Sequence, residues 1–179
     1  MDNHPLKVLK YCPKCGAESF KPSGDRSLKC AGCGFHFFIN ASAAVAALIT
    51  DAGGKLMLVT RGVEPDYGKL DLPGGFIDPM ETAEEAVRRE LSEELGLKVL
   101  NLQYLFSAPN EYIFSEYKVF TLDMAFKVQV ESTENLRAMD DILAYRFYAE
   151  DEIDYNEIPA PSINGFVKRY FQLIRKSEQ

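Results

Sequence analysis

The stretch that decides the fold runs from Gly75 to Leu97 and reads Gly75-Phe-Ile-Asp-Pro-Met-Glu81-Thr-Ala-Glu-Glu-Ala-Val-Arg-Arg89-Glu90-Leu91-Ser92-Glu93-Glu94-Leu95-Gly96-Leu97. Apolar residues at helical spacing predict a helix from about Thr82 to Leu95, and Gly96 takes the C-cap position. This helix needs a sheet to pack against. The apolar stripe that docks it consists of Val87, Leu91 and Leu95.

Three glutamates, Glu90, Glu93 and Glu94, stand at positions i, i+3 and i+4, so their carboxylates project from one face of the predicted helix. Carboxylates are hard oxygen ligands, and magnesium characteristically lies between a few carboxylates and the phosphates of a substrate. The alternative is a solvated, charged helix face. Against it, three neighbouring carboxylates repel one another, and Gly74 and Gly75 let the backbone approach a ligand closely. The pattern therefore indicates a site for magnesium or manganese.

These residues resemble the Nudix box, Gly-x5-Glu-x7-Arg-Glu-hydrophobic-x-Glu-Glu-x-Gly-hydrophobic, at every fixed position. The resemblance to the Nudix hydrolase superfamily implies an α/β/α sandwich with a mixed sheet. It also implies metal-dependent hydrolysis of a nucleoside diphosphate linked to another group. The metal ligands that it implies are Glu90, Glu93, Glu94 and the Gly75 carbonyl. It further implies an ion pair between Glu81 and Arg89 that holds the loop against the helix, and it leaves open which carboxylate acts as the general base.

All four cysteines lie within the first 33 residues, spaced Cys12-x2-Cys15-x14-Cys30-x2-Cys33. Two Cys-x2-Cys pairs, each followed by glycine, are typical of a tetrahedral zinc site. The alternative of two disulfides requires an oxidising compartment, and the amino-terminal residues show no secretory signal. We therefore predict a structural zinc ribbon over residues 8–39, followed by a second domain over residues 40–179. Because four thiolates fill the zinc shell, His36 is expected at the surface.

The remaining elements predict an α/β protein in which a mixed sheet is covered by helices. We expect a hairpin made of Ala43 to Thr50 and Lys55 to Thr60, because two apolar, β-branched runs flank Asp51-Ala-Gly-Gly54. A strand is predicted from about Lys98 to Phe106. Two further strands, at Tyr117 to Val130 and Ile142 to Tyr148, and a final helix capped by Ser162 and running to about Arg175 complete the order.

Composition excludes several classes of protein. Hydrophobic residues make up 46% and charged residues 26%, which is typical of globular proteins and not of disordered or fibrous ones. The apolar runs are too short to span a bilayer, so we expect a cytoplasmic protein without membrane contact. A net charge of -7 is the wrong sign for a general nucleic-acid coat. Nucleic-acid binding by the mildly basic segment from Tyr11 to Asn40 stays open but unsupported.

A second resemblance, from about Tyr11 to Tyr170, is to the zinc-ribbon-containing NADH pyrophosphatase family. The Ser-Gln-Pro-Trp-Pro-Phe-Pro-x-Ser motif of that family corresponds to Ser107-Ala-Pro109-Asn-Glu-Tyr112-Ile-Phe-Ser115, which lacks the Trp and the two later prolines. The resemblance implies NAD(H) or ADP-ribose as substrate and a homodimer. Tyr112 and Phe114 would stack on a base or on nicotinamide, or else are core or interface residues. It also implies a further metal ligand at Asp140 or Asp141.

Two function classes follow. The first is a Nudix pyrophosphohydrolase, which the intact glutamates Glu90, Glu93 and Glu94 favour. The second is a protein whose zinc ribbon binds RNA or a partner and whose Nudix fold senses a ligand. Removal of an NAD cap from RNA would combine the two, since it cleaves the same kind of bond.

Overall fold

The computed structural model describes residues 3–134 and 136–177 and divides the chain into two compact units. One unit comprises residues 1–41 and 111–120, and the other comprises residues 42–110 and 121–179. The predicted domain limits, 8–39 and 40–179, stay a prediction. No helix in the described part of the chain is long and apolar enough to cross a membrane.

The first unit contains a short helix, α1 (Pro5–Val8), and a three-stranded antiparallel sheet. Its strands, in spatial order, are β1 (Phe20–Pro22), β2 (Ser27–Cys30) and β3 (His36–Phe38). The buried cluster of this unit is small and comprises Cys12, Phe20, Leu28 and Cys30. A core of this size supplies little stability, which agrees with a module that needs a metal to fold.

The second unit is an α/β structure whose strands are divided between two three-stranded sheets. One sheet has the order β4 (Ser42–Leu48), β8 (Tyr117–Val130) and β7 (Val99–Phe114), and β4 and β8 run parallel. The other has the order β6 (Leu70–Asp71), β5 (Leu56–Arg61) and β9 (Ile142–Tyr148), paired antiparallel. The helices are α2 (Ala83–Leu95) and α3 (Pro161–Ser177), with short 3-10 helices at Glu150–Glu152 and Tyr155–Glu157.

The buried parts of β4 and β5, residues 45–48 and 56–59, are entirely apolar because both of their faces are covered. On β4, Val45 and Ala47 join the cluster that contains the buried residues of α2, whereas Ala46 and Leu48 join the cluster that contains those of α3. Alternate residues of a strand point to opposite faces, so the two helices pack on opposite sides of the strands. The predicted sandwich with a mixed sheet is confirmed.

The predicted hairpin of residues 43–50 and 55–60 is wrong. The two strands belong to different sheets, and only an isolated bridge between Thr50 and Leu56 and a few flanking hydrogen bonds join them at the turn. Strand β4 pairs instead with β8, in a register that places Val45 beside Met124. An apolar run with both faces buried carries no alternation to reveal its partner, and the partner here lies more than seventy residues away.

Two other expectations need correction. Helix α3 begins at Pro161, a residue suited to the first helical position, so Ser162 lies inside the helix and does not cap it. The buried Ser162 hydroxyl donates to the Asp123 carboxylate. Strand β7 also continues beyond Phe106 to Phe114, because Ser115 and Glu116 both adopt positive φ and form a tight turn into β8. The stretch from Ser107 to Ser115 is therefore mostly strand.

Candidate active site

The helix that carries the three glutamates forms as predicted. It spans Ala83–Leu95, and a capping box between Thr82 and Glu85 satisfies backbone N–H groups at its start. At its end Gly96 adopts a left-handed conformation, with φ of 66°, and its N–H bonds to the carbonyls of the last turn. Both ends of the helix are thus fixed, so the positions of its acidic side chains are well defined.

The glycine-rich loop before the helix lies along the free edge of β4. Val45 N–H donates to the Gly75 carbonyl at 2.8 Å, and Ala47 N–H donates to the Pro73 carbonyl at 2.8 Å. Gly74 has φ of 141°, and a Cβ atom there would lie 2.2 Å from the Val45 carbonyl oxygen. A Cβ atom on Gly75 would lie 2.5 Å from Glu90 Oε1. At Gly74 only glycine permits this approach, because the clash is with backbone, whereas at Gly75 the Glu90 side chain would have to shift.

Replacing Gly74 with alanine is expected to lower the free energy of unfolding by about 3 kcal/mol, since it adds a backbone clash to a strained φ. Urea denaturation monitored by circular dichroism would measure the change. Gly165→Ala is the matched control, because a Cβ atom in that part of α3 meets nothing within 4 Å. It should raise stability by about 0.5 to 1 kcal/mol, as alanine does in a helix interior. Equal effects of the two variants would contradict this role of Gly74.

Glu94 is the most deeply placed acid of the box, with 7% of its surface exposed. Its Oε2 accepts a hydrogen bond of 3.0 Å from Gly74 N–H. Burial, followed by the negative charges of Glu90, Asp71 and Asp141, outweighs that hydrogen bond and raises the pKa of Glu94 to about 8. The carboxylate is therefore held where negative charge is in excess, which is the setting that a divalent cation relieves.

Arg89 joins the loop to the helix. Its Nε and Nη2 atoms bind the two oxygens of Glu81 at 2.9 Å each, and Nη2 also donates to the Phe76 carbonyl at 2.9 Å. Its Nη1 donates to Glu90 Oε1 at 2.8 Å and to Glu93 Oε2 at 3.1 Å. The pair with Arg89 lowers the pKa of Glu81. The bonds to Glu81, first of all, and then to Glu90 and Glu93 raise the pKa of Arg89. The geometry contains the ion pair that the sequence predicts.

The three glutamates lie together on the helix, but their oxygens do not meet at one point. Glu90 and Glu93 turn to Arg89, whereas Glu94 turns to the loop. A metal ion needs several His, Cys, Asp or Glu side chains whose ligand atoms lie close together. Within residues 3–134 and 136–177, the only group of three or more such residues that meets this condition is the four cysteines. Arg89 binds one oxygen of Glu90 and one of Glu93, so a metal ion shared by all three glutamates has to use their other oxygens or displace Arg89.

The Gly75 carbonyl already accepts a hydrogen bond from Val45, so it retains one lone pair for a cation. Of the two aspartates predicted as a further ligand, Asp141 is near enough to Glu94 for its charge to raise the pKa of Glu94. The Asp141 carbonyl accepts a hydrogen bond of 2.6 Å from Gly62 N–H, which ties the start of β9 to the end of β5. The choice between Asp140 and Asp141 stays a prediction.

The raised pKa of Glu94 has a consequence for stability in protein freed of magnesium and manganese. A carboxyl whose pKa is higher in the folded state than in the unfolded state binds more protons when folded, so stability falls as pH rises from 4.5 to about 8. We expect the native chain to lose stability when the pH is raised from about 6 to about 9, as measured by thermal unfolding. The loss should be smaller for Glu94→Gln, which has no proton to release at that position. Glu84→Gln, an exposed change on the same helix, should behave like the native chain. Parallel pH profiles for all three proteins would rule this out.

Comparison with known proteins now decides the family. A family model for the NUDIX domain matches residues 41–169, which is most of the chain. The chain belongs to the Nudix family. This Nudix chain is 34% identical, over 118 residues, to the NAD-capped RNA hydrolase NudC of Deinococcus radiodurans, covering 65% of this chain and 42% of that protein. It spans less than half the length of the first curated relatives that it matches.

Solved structures support the fold. A crystal structure of a NUDIX hydrolase from Nitrosomonas europaea superposes with a TM-score of 0.66 at 24% identity, covering 92% of this chain and 91% of that chain. The NUDIX domain of Shewanella oneidensis NrtR, crystallised with ADP ribose, superposes with a TM-score of 0.59 at 18% identity, covering 76% of this chain and 90% of that one. At these identities the likeness concerns the fold alone.

The four cysteines of this Nudix protein come together as the sequence predicts. Cys12 Sγ lies 3.7 Å from Cys33 Sγ, Cys15 Sγ lies 3.7 Å from Cys30 Sγ, and all four sulfurs lie within 4.8 Å of one another. All four are free thiols, so the disulfide alternative does not describe this structure. Zinc–sulfur bonds of about 2.3 Å place the sulfurs of a tetrahedral site about 3.8 Å apart, which fits this spacing. His36 is exposed, as expected.

The thiols of the cysteine cluster differ in pKa. The Ala17 N–H lowers the pKa of Cys15, but hydrogen bonds to the neighbouring thiols and burial outweigh it and raise that pKa to about 12. The Ser19 hydroxyl lies 3.5 Å from Cys30 Sγ, and this contact, followed by the Cys33 N–H, lowers the pKa of Cys30 to about 6. Thiolates, not thiols, bind metals. The cluster is therefore suited to a thiophilic cation such as zinc.

Sequence reasoning missed Asp71, whose charge acts on Glu94, and Asp123, whose charge acts on Asp71. Asp71, at the end of β6, receives a hydrogen bond of 2.7 Å from Arg61, and its other oxygen accepts one from Leu72 N–H. Burial, the largest cause, raises the pKa of Asp71, against the lowering effect of Arg61, and the charge of Asp123 adds to the rise. A signal was present in the sequence, since an acid directly before Leu72-Pro-Gly-Gly75 must lie next to the loop.

The two residues predicted to stack on the substrate belong to a different compact unit from the three glutamates. Tyr112 is half-buried and Phe114 is exposed, and both belong to residues 111–120, which group with the first unit. The glutamates belong to the second unit. A role of Tyr112 and Phe114 in substrate binding stays a prediction from the sequence.

Proposed function

We propose that this Nudix chain is a pyrophosphohydrolase that cleaves the diphosphate bond of a nucleoside diphosphate derivative, with NAD(H) or ADP-ribose as the leading candidates. The observation that carries the proposal is the contact between Glu94 and the Gly74 N–H, at a position where only glycine fits the backbone. It holds a buried carboxyl group, with a pKa raised to about 8, against the backbone of the loop that precedes the acidic helix.

We propose magnesium or manganese as the catalytic cofactor, held by Glu90, Glu93, Glu94, the Gly75 carbonyl and Asp140 or Asp141. The donor set fits such an ion, since it consists of oxygen atoms and carries more negative charge than Arg89 alone balances. A bound divalent ion would neutralise the diphosphate and activate a water molecule.

The roles proposed for the chain's own residues follow from their contacts. Arg89 and Glu81 hold the loop on the helix, so that Glu90 and Glu94 keep their positions when a charged substrate arrives. Glu90, half-buried, has a raised pKa chiefly because of its burial, as Glu94 does. Carboxylates with pKa values nearer neutrality are the better acceptors for the proton of an attacking water. We leave both as candidates for the general base.

The relatives named NAD-capped RNA hydrolase NudC support a second substrate, an RNA whose 5′ end carries NAD. The bond cleaved would be the same diphosphate. The alternative class, a ligand sensor with an RNA- or partner-binding ribbon, is less well supported because the Glu81–Arg89 pair and all three glutamates are intact.

The test is a panel of nucleotides assayed with magnesium or manganese, with the products identified by mass. The panel contains NADH, ADP-ribose, a nucleotide sugar and NAD-capped RNA. Cleavage of NADH should occur at the diphosphate and yield two mononucleotides. A chain that binds ADP-ribose but cleaves nothing would support the sensor instead.

Tyr112→Ala is expected to lower kcat/KM on the best substrate by about tenfold to a hundredfold, mostly through KM, because stacking on a base is worth roughly 1 to 3 kcal/mol. Steady-state kinetics would measure the change, with Tyr67→Ala as a control at an exposed tyrosine of the second unit. If the kinetics of Tyr112→Ala match those of the native chain, Tyr112 has a structural role only.

We also propose that the four cysteines bind a structural zinc ion. The free thiols and their spacing support this assignment. A cytoplasmic location and a homodimer are further proposals, and the family resemblance supports both.

A further inference from the structure

The sheet of the first unit presents a row of basic side chains across all three strands. In the antiparallel register Lys21 of β1 pairs with Lys29 of β2, and Lys29 pairs with His36 of β3. Directly paired residues of an antiparallel sheet share a face, so these three side chains stand next to one another. Phe38, two residues after His36, lies on the same side. We call these four residues the basic face.

The opposite side of the sheet is the buried one. Phe20, Leu28 and Cys30 face the cysteine cluster and are each 4% exposed or less. On the basic face, Lys21, Lys29 and His36 are exposed, and Phe38 is 48% exposed. The basic face is therefore the outer surface of the sheet in this unit.

Folding does not account for the pairing of the two lysines, and edge protection does not account for Lys29. Like charges directly opposite each other destabilise a sheet. Neither Lys21 nor Lys29 forms an ion pair within residues 3–134 and 136–177. Lysine is often placed on edge strands to block aggregation, but Lys29 lies on β2, the central strand. An external polyanion would turn this repulsion into attraction.

The two rings beside the lysines are held in place. His36 Nε2 lies 3.0 Å from the Ser27 hydroxyl, and the rings of His36 and Phe38 pack with their centroids 4.4 Å apart. The result is a fixed, partly exposed pair of rings next to two cations. Aromatic side chains on a sheet beside basic groups are suited to unpaired bases, which stack on rings while lysines contact the phosphates.

We propose that the basic face binds single-stranded RNA. A duplex is a poorer fit, because its bases are already stacked on each other and are not free to stack on Phe38 and His36. An acidic protein surface would match the lysines but would leave the rings without a partner. The choice of RNA over DNA rests on the proposed function, since an RNA 5′ end can carry the diphosphate link that the Nudix site would cleave. Binding itself does not depend on hydrolysis.

The experiment measures binding separately from turnover. A short fluorescein-labelled single-stranded RNA with a 5′-hydroxyl end is titrated with the full chain in buffer without magnesium or manganese, and fluorescence anisotropy is recorded. The variants are the double change Lys21→Glu with Lys29→Glu, and Phe38→Ala. The matched control is Lys127→Glu with Lys176→Glu, two exposed lysines of the second unit. Zinc content and the melting temperature establish that each variant is folded, and NADH hydrolysis is assayed in parallel.

The double variant should bind RNA at least roughly tenfold more weakly. The slope of log Kd against log salt concentration should also decrease by roughly 1 to 1.5, because two phosphate contacts are lost. Phe38→Ala should weaken binding roughly tenfold with an unchanged salt dependence. Hydrolysis of free NADH should be the same in all variants that retain zinc.

Several results would overturn the proposal. They are no measurable RNA binding by the native chain, equal weakening by the control pair, and tighter binding of single-stranded DNA of the same sequence. Capture of a protein partner that is lost in the double variant, with RNA binding unchanged, would assign the basic face to that partner. If NADH is not cleaved while RNA binding follows the expected pattern, the hydrolase proposal fails and the basic face stands.

Discussion

Replacing Glu94 with glutamine is expected to lower turnover by roughly 10²- to 10³-fold while the fold stays intact. The side chain keeps its size and can still accept the Gly74 N–H hydrogen bond, but it loses the negative charge that a divalent ion requires. Glu90→Gln and Glu93→Gln should behave alike. The measurement is kcat on the best substrate of the nucleotide panel, at saturating magnesium or manganese.

Glu84→Gln is the matched control, since Glu84 lies exposed in the first turn of the same helix and belongs to no predicted ligand set. It should leave kcat unchanged. Circular dichroism and melting curves of Glu94→Gln should show a folded protein. Equal rates for Glu94→Gln and the native chain at saturating metal would remove the glutamates from the catalytic assignment.

Replacing Cys15 with serine is expected to release zinc and to unfold the small ribbon. Structural zinc contributes about 10 to 16 kcal/mol to modules of this kind, far more than the four-residue buried cluster of the first unit can replace. Elemental analysis should show loss of the metal, and hydrogen exchange should show loss of protection over residues 8–39. Some hydrolysis should remain if the Nudix domain is stable by itself.

His36→Ala provides the control for zinc loss, because the four sulfurs already form a complete set of ligands and His36 bonds to Ser27 instead. This variant should retain the metal. A native protein that contains no zinc and shows no free thiols on titration would establish that the cysteines form disulfides in solution, contrary to both the zinc prediction and this structure.

The elements predicted well from the sequence are those with strong local signals. The helix at Ala83–Leu95 has a capping residue, an apolar stripe and a C-cap glycine, and each of these acts within a few residues. The strands at Tyr117–Val130 and Ile142–Tyr148 were likewise predicted at their observed bounds. The four cysteines were predicted to meet because their spacing encodes two tight turns.

Long-range pairing could not be predicted. Strand β4 is apolar on both faces, so its sequence does not indicate that it pairs with β8 and not with β5. The placement of Asp71 and Asp123 near the box also depends on which strands meet. The orientation of Arg89 was predicted only in part, since its bonds to Glu90 and Glu93 add to the ion pair with Glu81.

The hydrogen bonds between β4 and the glycine-rich loop have a further consequence. Strand β4 is bonded to β8 on one side, so its other side would be an open sheet edge able to recruit a second chain. The loop occupies that edge through its bonds to Val45 and Ala47. The loop backbone at the proposed active site therefore also prevents another chain from pairing with β4. Variants that loosen this loop should become insoluble as well as inactive.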